Sequence, residues 1–87
     1  MRVNFNNDMH LFAKSWDLDA NKVLVGEQSF LLSKMSKLTI KDPTIYRYGE
    51  IHFWYDEDGF NKLNFAMCDK EKAHEAFEYM KKYSKGC

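Results

Sequence analysis

Residues 44–68, TIYRYGEIHFWYDEDGFNKLNFAMC, decide the fold, because they read as one long β-hairpin whose two faces differ in chemistry. Counting by twos puts Ile45, Ile51, Phe53 and Tyr55 on one face of the first arm, with Leu63, Phe65 and Met67 on the same face of the second. That is the period-2 apolar pattern of a half-buried sheet. The opposite face carries Tyr46, Tyr48, Glu50, His52 and Trp54 against Lys62, Asn64, Ala66 and Cys68, and is more aromatic than a solvated face needs to be. Asp56-Glu57-Asp58-Gly59 suits the connecting turn, since Gly59 can take the positive φ of a bulged hairpin loop. Gly49 falls inside the first arm and predicts a bulge or a bend; a bulge there inverts the facing of Tyr46 and Tyr48 relative to Trp54.

After the hairpin, the spacing predicts a helix over 70–83, capped by Asp69 and stopped by Gly86. Ala73, Ala76, Phe77, Met80 and Tyr83 form its apolar stripe, and Glu78 stands four residues before Lys82. The stripe is expected to pack on the core face of the hairpin. A second helix is predicted over 27–38, where Leu31, Met35 and Leu38 share a face and Lys41-Asp42-Pro43 ends the region. Further upstream, Met9 to Lys14 and Lys22 to Val25 read as a shorter hairpin joined by residues 15–21, with Val3 to Phe5 as an edge strand. The order ββαββα implies an α+β two-layer sandwich, an antiparallel sheet with both helices on one face. Its rival is one long helix over 20–38, which shrinks the sheet.

At 87 residues the chain reads as one globular domain, 1–87, long enough to bury roughly two-thirds of its unfolded surface without disulfide or metal staples. An aromatic content of 16% argues against disorder. Thirteen basic residues balance thirteen acidic ones, so no overall field concentrates nucleic acid or anionic membrane, and partner choice must be local. Arg2 and Arg47 are the only arginines among those cations, which disfavours an arginine-rich phosphate site. The lysine bias suggests an AT-rich coding genome, and small domains from such sources are often accessory proteins of bacteria, phages or plasmids. No apolar run approaches the ~20 residues of a membrane span or forms a signal peptide, so a cytoplasmic location is expected.

Several motifs fail as chemistry. Asp17, Asp19 and Asn21 match the first ligand positions of a calcium loop, but Lys22 stands where the turning glycine is needed and Gln28 where a bidentate glutamate is needed. Glu71 and His74 have Glu-x-x-His spacing in a single copy, short of a di-metal site. Cys68, paired with His52 or His74, would be the minimum cysteine nucleophile, but nothing fixes that geometry. Cys68 and Cys87 fit neither a disulfide framework nor a zinc site. The chain is therefore expected to be a non-enzymatic binding protein, an inhibitor, adaptor or regulator, with no cofactor.

The expected contact residues are Tyr46, Arg47, Tyr48, His52, Trp54 and Lys62. Tyrosine and tryptophan recur as interface anchors, which favours a protein partner. Single-stranded nucleic acid, RNA above all, is the alternative, because sheet aromatics beside Arg47 and Lys62 can stack bases. Glu50 among the aromatics and the lack of an aromatic RNP signature count against it. The face would also be accounted for if Phe5, Leu11, Phe12 and Trp16 cover it, or if two copies pair through it as a homodimer.

Overall fold

A computed structural model describes residues 2–7, 14–56 and 59–84. Two antiparallel sheets follow one another along the chain. The first is a meander of β1 (Val3–Phe5), β2 (Trp16–Asp19), β3 (Lys22–Val25) and β4 (Gln28–Leu31). The second is a meander of β5 (Met35–Lys41), β6 (Gly49–Tyr55) and β7 (Gly59–Phe65). A 3₁₀ turn, Leu32–Lys34, joins the sheets, and another, Met67–Asp69, leads into helix α1 (Lys70–Tyr83).

Short turns explain the first meander. Asp19 pairs with Lys22 around Ala20-Asn21, and the Asp19 carboxylate accepts the Ala20 N–H at 2.8 Å. Val25 pairs with Gln28 around Gly26-Glu27, and Gly26 supplies the positive φ of 60° that a two-residue hairpin loop needs at its first position. Alternation then sorts the side chains. Phe5, Trp16, Leu18, Val23 and Phe30 face inward from the first sheet, Ile51, Phe53, Leu63 and Phe65 from the second, and Ala73, Ala76, Phe77 and Met80 from α1. All belong to one core. A lone 14-residue helix is marginal in water. Burying Phe77 and Met80, at roughly 1.5–3 kcal/mol each, is what holds α1 in place.

Polar links join the units. The Asn64 carbonyl on β7 accepts from Trp16 Nε1 at 2.7 Å and from Asn7 Nδ2 at 2.9 Å, tying the first sheet to the second. The Tyr55 hydroxyl accepts the Leu31 N–H at 3.0 Å, and the Tyr79 hydroxyl donates to the Ala20 carbonyl at 2.6 Å.

The expected α+β sandwich with two helices on one face is overturned: the described residues are mostly sheet, seven strands in two antiparallel sheets, with one C-terminal α-helix among them. The segment 27–38 is β4, a 3₁₀ turn and the start of β5 rather than a helix. Lys22 to Val25 is a strand, but its partner is Trp16–Asp19, within the stretch read as a connecting loop. Lys14 lies outside any strand, and residues 9–13 of that expected strand lie outside the described residues. Asp17 and Asp19 thus alternate along β2, and Asn4 Nδ2 donates to the Asp17 carboxylate. Val3–Phe5 is an edge strand and α1 spans its expected range, although the Asp69 side chain makes no capping hydrogen bond and Lys82 lies over the Tyr83 ring. The expected stop at Gly86 lies outside the described residues.

Gly49 carries no bulge. The β6–β7 register runs without interruption from Gly49↔Phe65 to Tyr55↔Gly59. The irregularity is on β5, where two residues, Lys37 and Leu38, stand between pairs that Phe53 alone separates on β6. Lys37 takes a φ of +54°, and the extra residue turns Leu38 into the core and Lys37 out.

Candidate functional site

The six expected contact residues fall in two places. Tyr46 and Arg47 belong to a tight turn before β6, and Tyr48 joins that turn to the strand. His52 and Trp54 sit on the outer face of β6, beside Lys62 of β7. Trp54 lies five residue steps along the strand from Gly49, about 17 Å at ~3.3 Å per residue. One contiguous patch of all six is not formed.

The turn is built to present two apolar side chains. Arg47 N–H donates to the Thr44 carbonyl at 3.4 Å and Thr44 N–H to the Arg47 carbonyl at 3.0 Å, so Ile45 and Tyr46 are its two central residues. Thr44 Oγ1 accepts the Tyr46 N–H at 3.2 Å, a local bond that stiffens the tip. Ile45 is 80% exposed and Tyr46 90%, and Met67, 50% exposed, lines the same shallow depression with Tyr48. Ile45 and Met67 were expected in the core; both lie outside the paired arms. The root of this loop is anchored to α1. Asp42, just before Pro43, has its carboxylate 2.6 Å from His74 Nε2 and 3.8 Å from Lys70 Nζ. The hydrogen bond with His74, with help from the charges of Lys70 and His74, holds the Asp42 carboxyl below the ordinary carboxylate value against the opposing effect of desolvation.

The outer sheet face is an aromatic cluster flanked by lysines. Trp54 pairs across the strands with Phe60, ring centroids 5.8 Å apart, and Phe60 meets His52 edge to face at 5.0 Å. Lys37 Nζ lies 5.6 Å from the Trp54 ring centroid. Phe5 and Trp16 do not cover this face; they stack on each other in the core, centroids 4.2 Å apart. Leu11 and Phe12 lie outside the described residues. Sequence reasoning missed Phe60 and Lys37. Phe60 shares the parity of Lys62 along β7, a signal in plain view, whereas Lys37 reaches the face only through the bulge.

Glu50 organises the charges here. Its carboxylate lies 2.7 Å from His52 Nε2 and 3.6 Å from Lys62 Nζ. Burial by itself pushes its carboxyl up, but the His52 hydrogen bond and the charges of Lys62, His52 and Lys41 together hold it below the ordinary 4.5. Because the folded value is depressed, Glu50 stabilises the fold fully above pH 4.5 and loses that contribution as pH falls through the folded value. Glu50→Gln should therefore lose less stability than the parent between about pH 6 and about pH 3.5, read from urea midpoints at both. An equal acid loss in the two proteins would show that Glu50 contributes nothing.

The remaining motifs are occupied otherwise. His74 pairs with Asp42 and His52 with Glu50, so both imidazoles are committed to carboxylates, and Cys68 is exposed. Among the described residues no three His, Cys, Asp or Glu side chains converge as a metal site, and no helix is long and apolar enough to cross a membrane. Comparison with known proteins finds no matching family model, no matching curated protein and no matching solved structure.

Proposed function

We propose that this chain is a small, cytoplasmic, non-enzymatic binding protein that seats Ile45 and Tyr46 in a pocket of a protein partner, acting as an inhibitor, adaptor or regulator. The supporting observation is the turn itself: an isoleucine and a tyrosine, 80% and 90% exposed, at its two central positions. Large apolar side chains are normally withdrawn from water. Here two adjacent ones are held outward by a pair of backbone hydrogen bonds, a third bond from Thr44, and a carboxylate anchor to α1. An ordered tip loses little conformational entropy on docking, which is how a small contact reaches useful affinity. Met67 and Tyr48 extend the apolar footprint, and Arg47 supplies a cation at its edge.

The test is affinity capture from host lysate with the parent protein and with an Ile45→Ser/Tyr46→Ser double variant, each with and without nuclease. Anchor residues of this kind contribute ~2 kcal/mol each, so the double variant should lose the partner from the retained set. Its thermal midpoint should stay close to that of the parent, since exposed substitutions move stability by about 0.5 kcal/mol or less. Retention of the same proteins by both would show that the tip is not the docking element.

A further inference from the structure

The geometry points to a second site with a different ligand: the outer face of β5, β6 and β7 is a platform for single-stranded nucleic acid, with bases stacking on Trp54 and Phe60 and phosphates meeting Lys37, Lys41 and Lys62. It lies apart from the Ile45–Tyr46 tip and does not depend on it.

Three observations carry this assignment. Trp54 and Phe60 are 46% and 51% exposed on neighbouring strands, at directly paired positions, with His52 closing the cluster. Rings held by a sheet ladder offer ready π-surfaces to successive bases, and such stacking tolerates any base sequence. The second observation is Lys37. Its φ of +54° is a conformation a lysine adopts at a cost, and without the bulge the alternation begun by buried Met35 would aim residue 37 at the core. The distortion places an ammonium beside the exposed indole, as bulges next to binding sites do. The third is charge. Lys41 pairs across the sheet with Glu50, so Lys37, Lys41 and Lys62 share a face whose one acid among the described residues, Glu50, is already engaged by His52 and Lys62. On a chain of zero formal charge, this is a local positive strip with aromatic rings along it. Asp56 lies beyond Trp54 at the end of β6, so a polyanion is expected to cross the strands from Lys37 toward Lys62 rather than run off the hairpin end.

The test uses the purified full chain and fluorescein-labelled oligo(U) and oligo(dT) on the order of 12 nucleotides, a length within one small-domain footprint. Anisotropy and tryptophan emission are followed together; Trp16 is buried, so quenching on binding reports Trp54. Affinity should fall steeply with salt, and a duplex of the same length should bind at least tenfold more weakly because its bases are already paired. Trp54→Ala and Phe60→Ala should each weaken binding roughly 5- to 100-fold, the span expected for one stacked base. Lys37→Gly separates function from folding: glycine adopts the positive φ freely, so the thermal midpoint should hold or rise. Oligonucleotide binding should nevertheless weaken, and the slope of log affinity against log salt should flatten by about 0.7. Ser29→Ala on the first sheet is the control. Absence of single-strand binding at low salt, equal affinity for duplex, salt-insensitive binding, or unchanged binding by Trp54→Ala and Lys37→Gly would each overturn the assignment. So would a face that retains only a protein, unaffected by nuclease.

Discussion

Trp16→Ala should lower the stability of this fold by about 4 kcal/mol, measured by equilibrium urea denaturation followed by far-ultraviolet circular dichroism. Trp16 is 2% exposed and stacks on Phe5 at 4.2 Å, so truncation empties the largest single volume in the core and strips one face of the Phe5 ring. Small domains hold only about 5–15 kcal/mol in total, and one of this length belongs at the lower end. The variant should consequently be partly unfolded at room temperature. A loss under about 1 kcal/mol would mean that the junction between the sheets does not rely on the indole.

Trp16→Phe divides that effect. It leaves a single aromatic ring in place of the indole, deleting the Nε1–H that donates to the Asn64 carbonyl together with part of the ring system. Asn7 Nδ2 donates to the same carbonyl, so the acceptor is not left bare and the full penalty for an orphaned buried group does not apply. A cost of about 1–2 kcal/mol is expected, combining one hydrogen bond with a modest loss of volume. Removing the Asn7 amide as well, in Trp16→Phe/Asn7→Ala, should cost more than the two single losses together, because only then is the carbonyl unpaired.

The parts of the fold that were legible in the sequence are those where one period runs unbroken. Ile51, Phe53, Leu63 and Phe65 alternate in and out along β6 and β7, and Ala73, Ala76, Phe77 and Met80 keep helical spacing along α1; all are buried as the pattern requires. The segment 27–38 misled because Leu31, Met35 and Leu38 stand at intervals of four and three. Leu31 is 38% exposed on β4, while Met35 and Leu38 are both inward on β5 only because the Lys37 bulge intervenes. A bulged strand can thus counterfeit one face of a helix. Register with the partner strand sets where the bulge falls, which is why Gly49 attracted the expectation and Lys37 carries the irregularity.

The contact surface was half legible for a similar reason. Grouping Tyr46 and Tyr48 with Trp54 requires one extended arm from Thr44 to Tyr55, yet Thr44 and Arg47 close a turn of their own. Asp42-Pro43 is the local sign of that break, since the proline restricts the residue before it and punctuates the strand. The consequence is functional. An apolar tip and an aromatic cluster, whose Trp54 lies about 17 Å along β6 from Gly49, become two surfaces, each proposed for a different ligand and open to separate disruption.

Gly49→Ala is the substitution that should couple fold to tip, and it should destabilise the protein by about 3 kcal/mol. The position needs space rather than conformational freedom: a methyl group there would stand 2.5 Å from Phe65 Cε2, nearer still to Cζ, and 2.9 Å from the Lys41 carbonyl oxygen. Carbon atoms pack comfortably at about 3.5–4.0 Å, so both neighbours must move. Phe65 is fully buried, and Lys41 lies in the β5–β6 ladder opposite Glu50, so neither retreats cheaply. Adding Phe65→Leu to Gly49→Ala removes the ring atoms in the way while leaving the Lys41 carbonyl. The double variant should be more stable than the sum of the single losses implies by about 1 kcal/mol, read from a double-mutant cycle in urea. Strict additivity would show that the ring of Phe65 does not claim that space. Because Gly49 is the first residue of β6 after the turn, the strain falls where the Ile45–Tyr46 tip is rooted. Molecules of Gly49→Ala that remain folded should therefore capture less of the partner than the parent does, whereas oligonucleotide binding should weaken less, since the Trp54–Phe60 stacking pair lies several ladder pairs away and only Lys41 of that face adjoins the strained position.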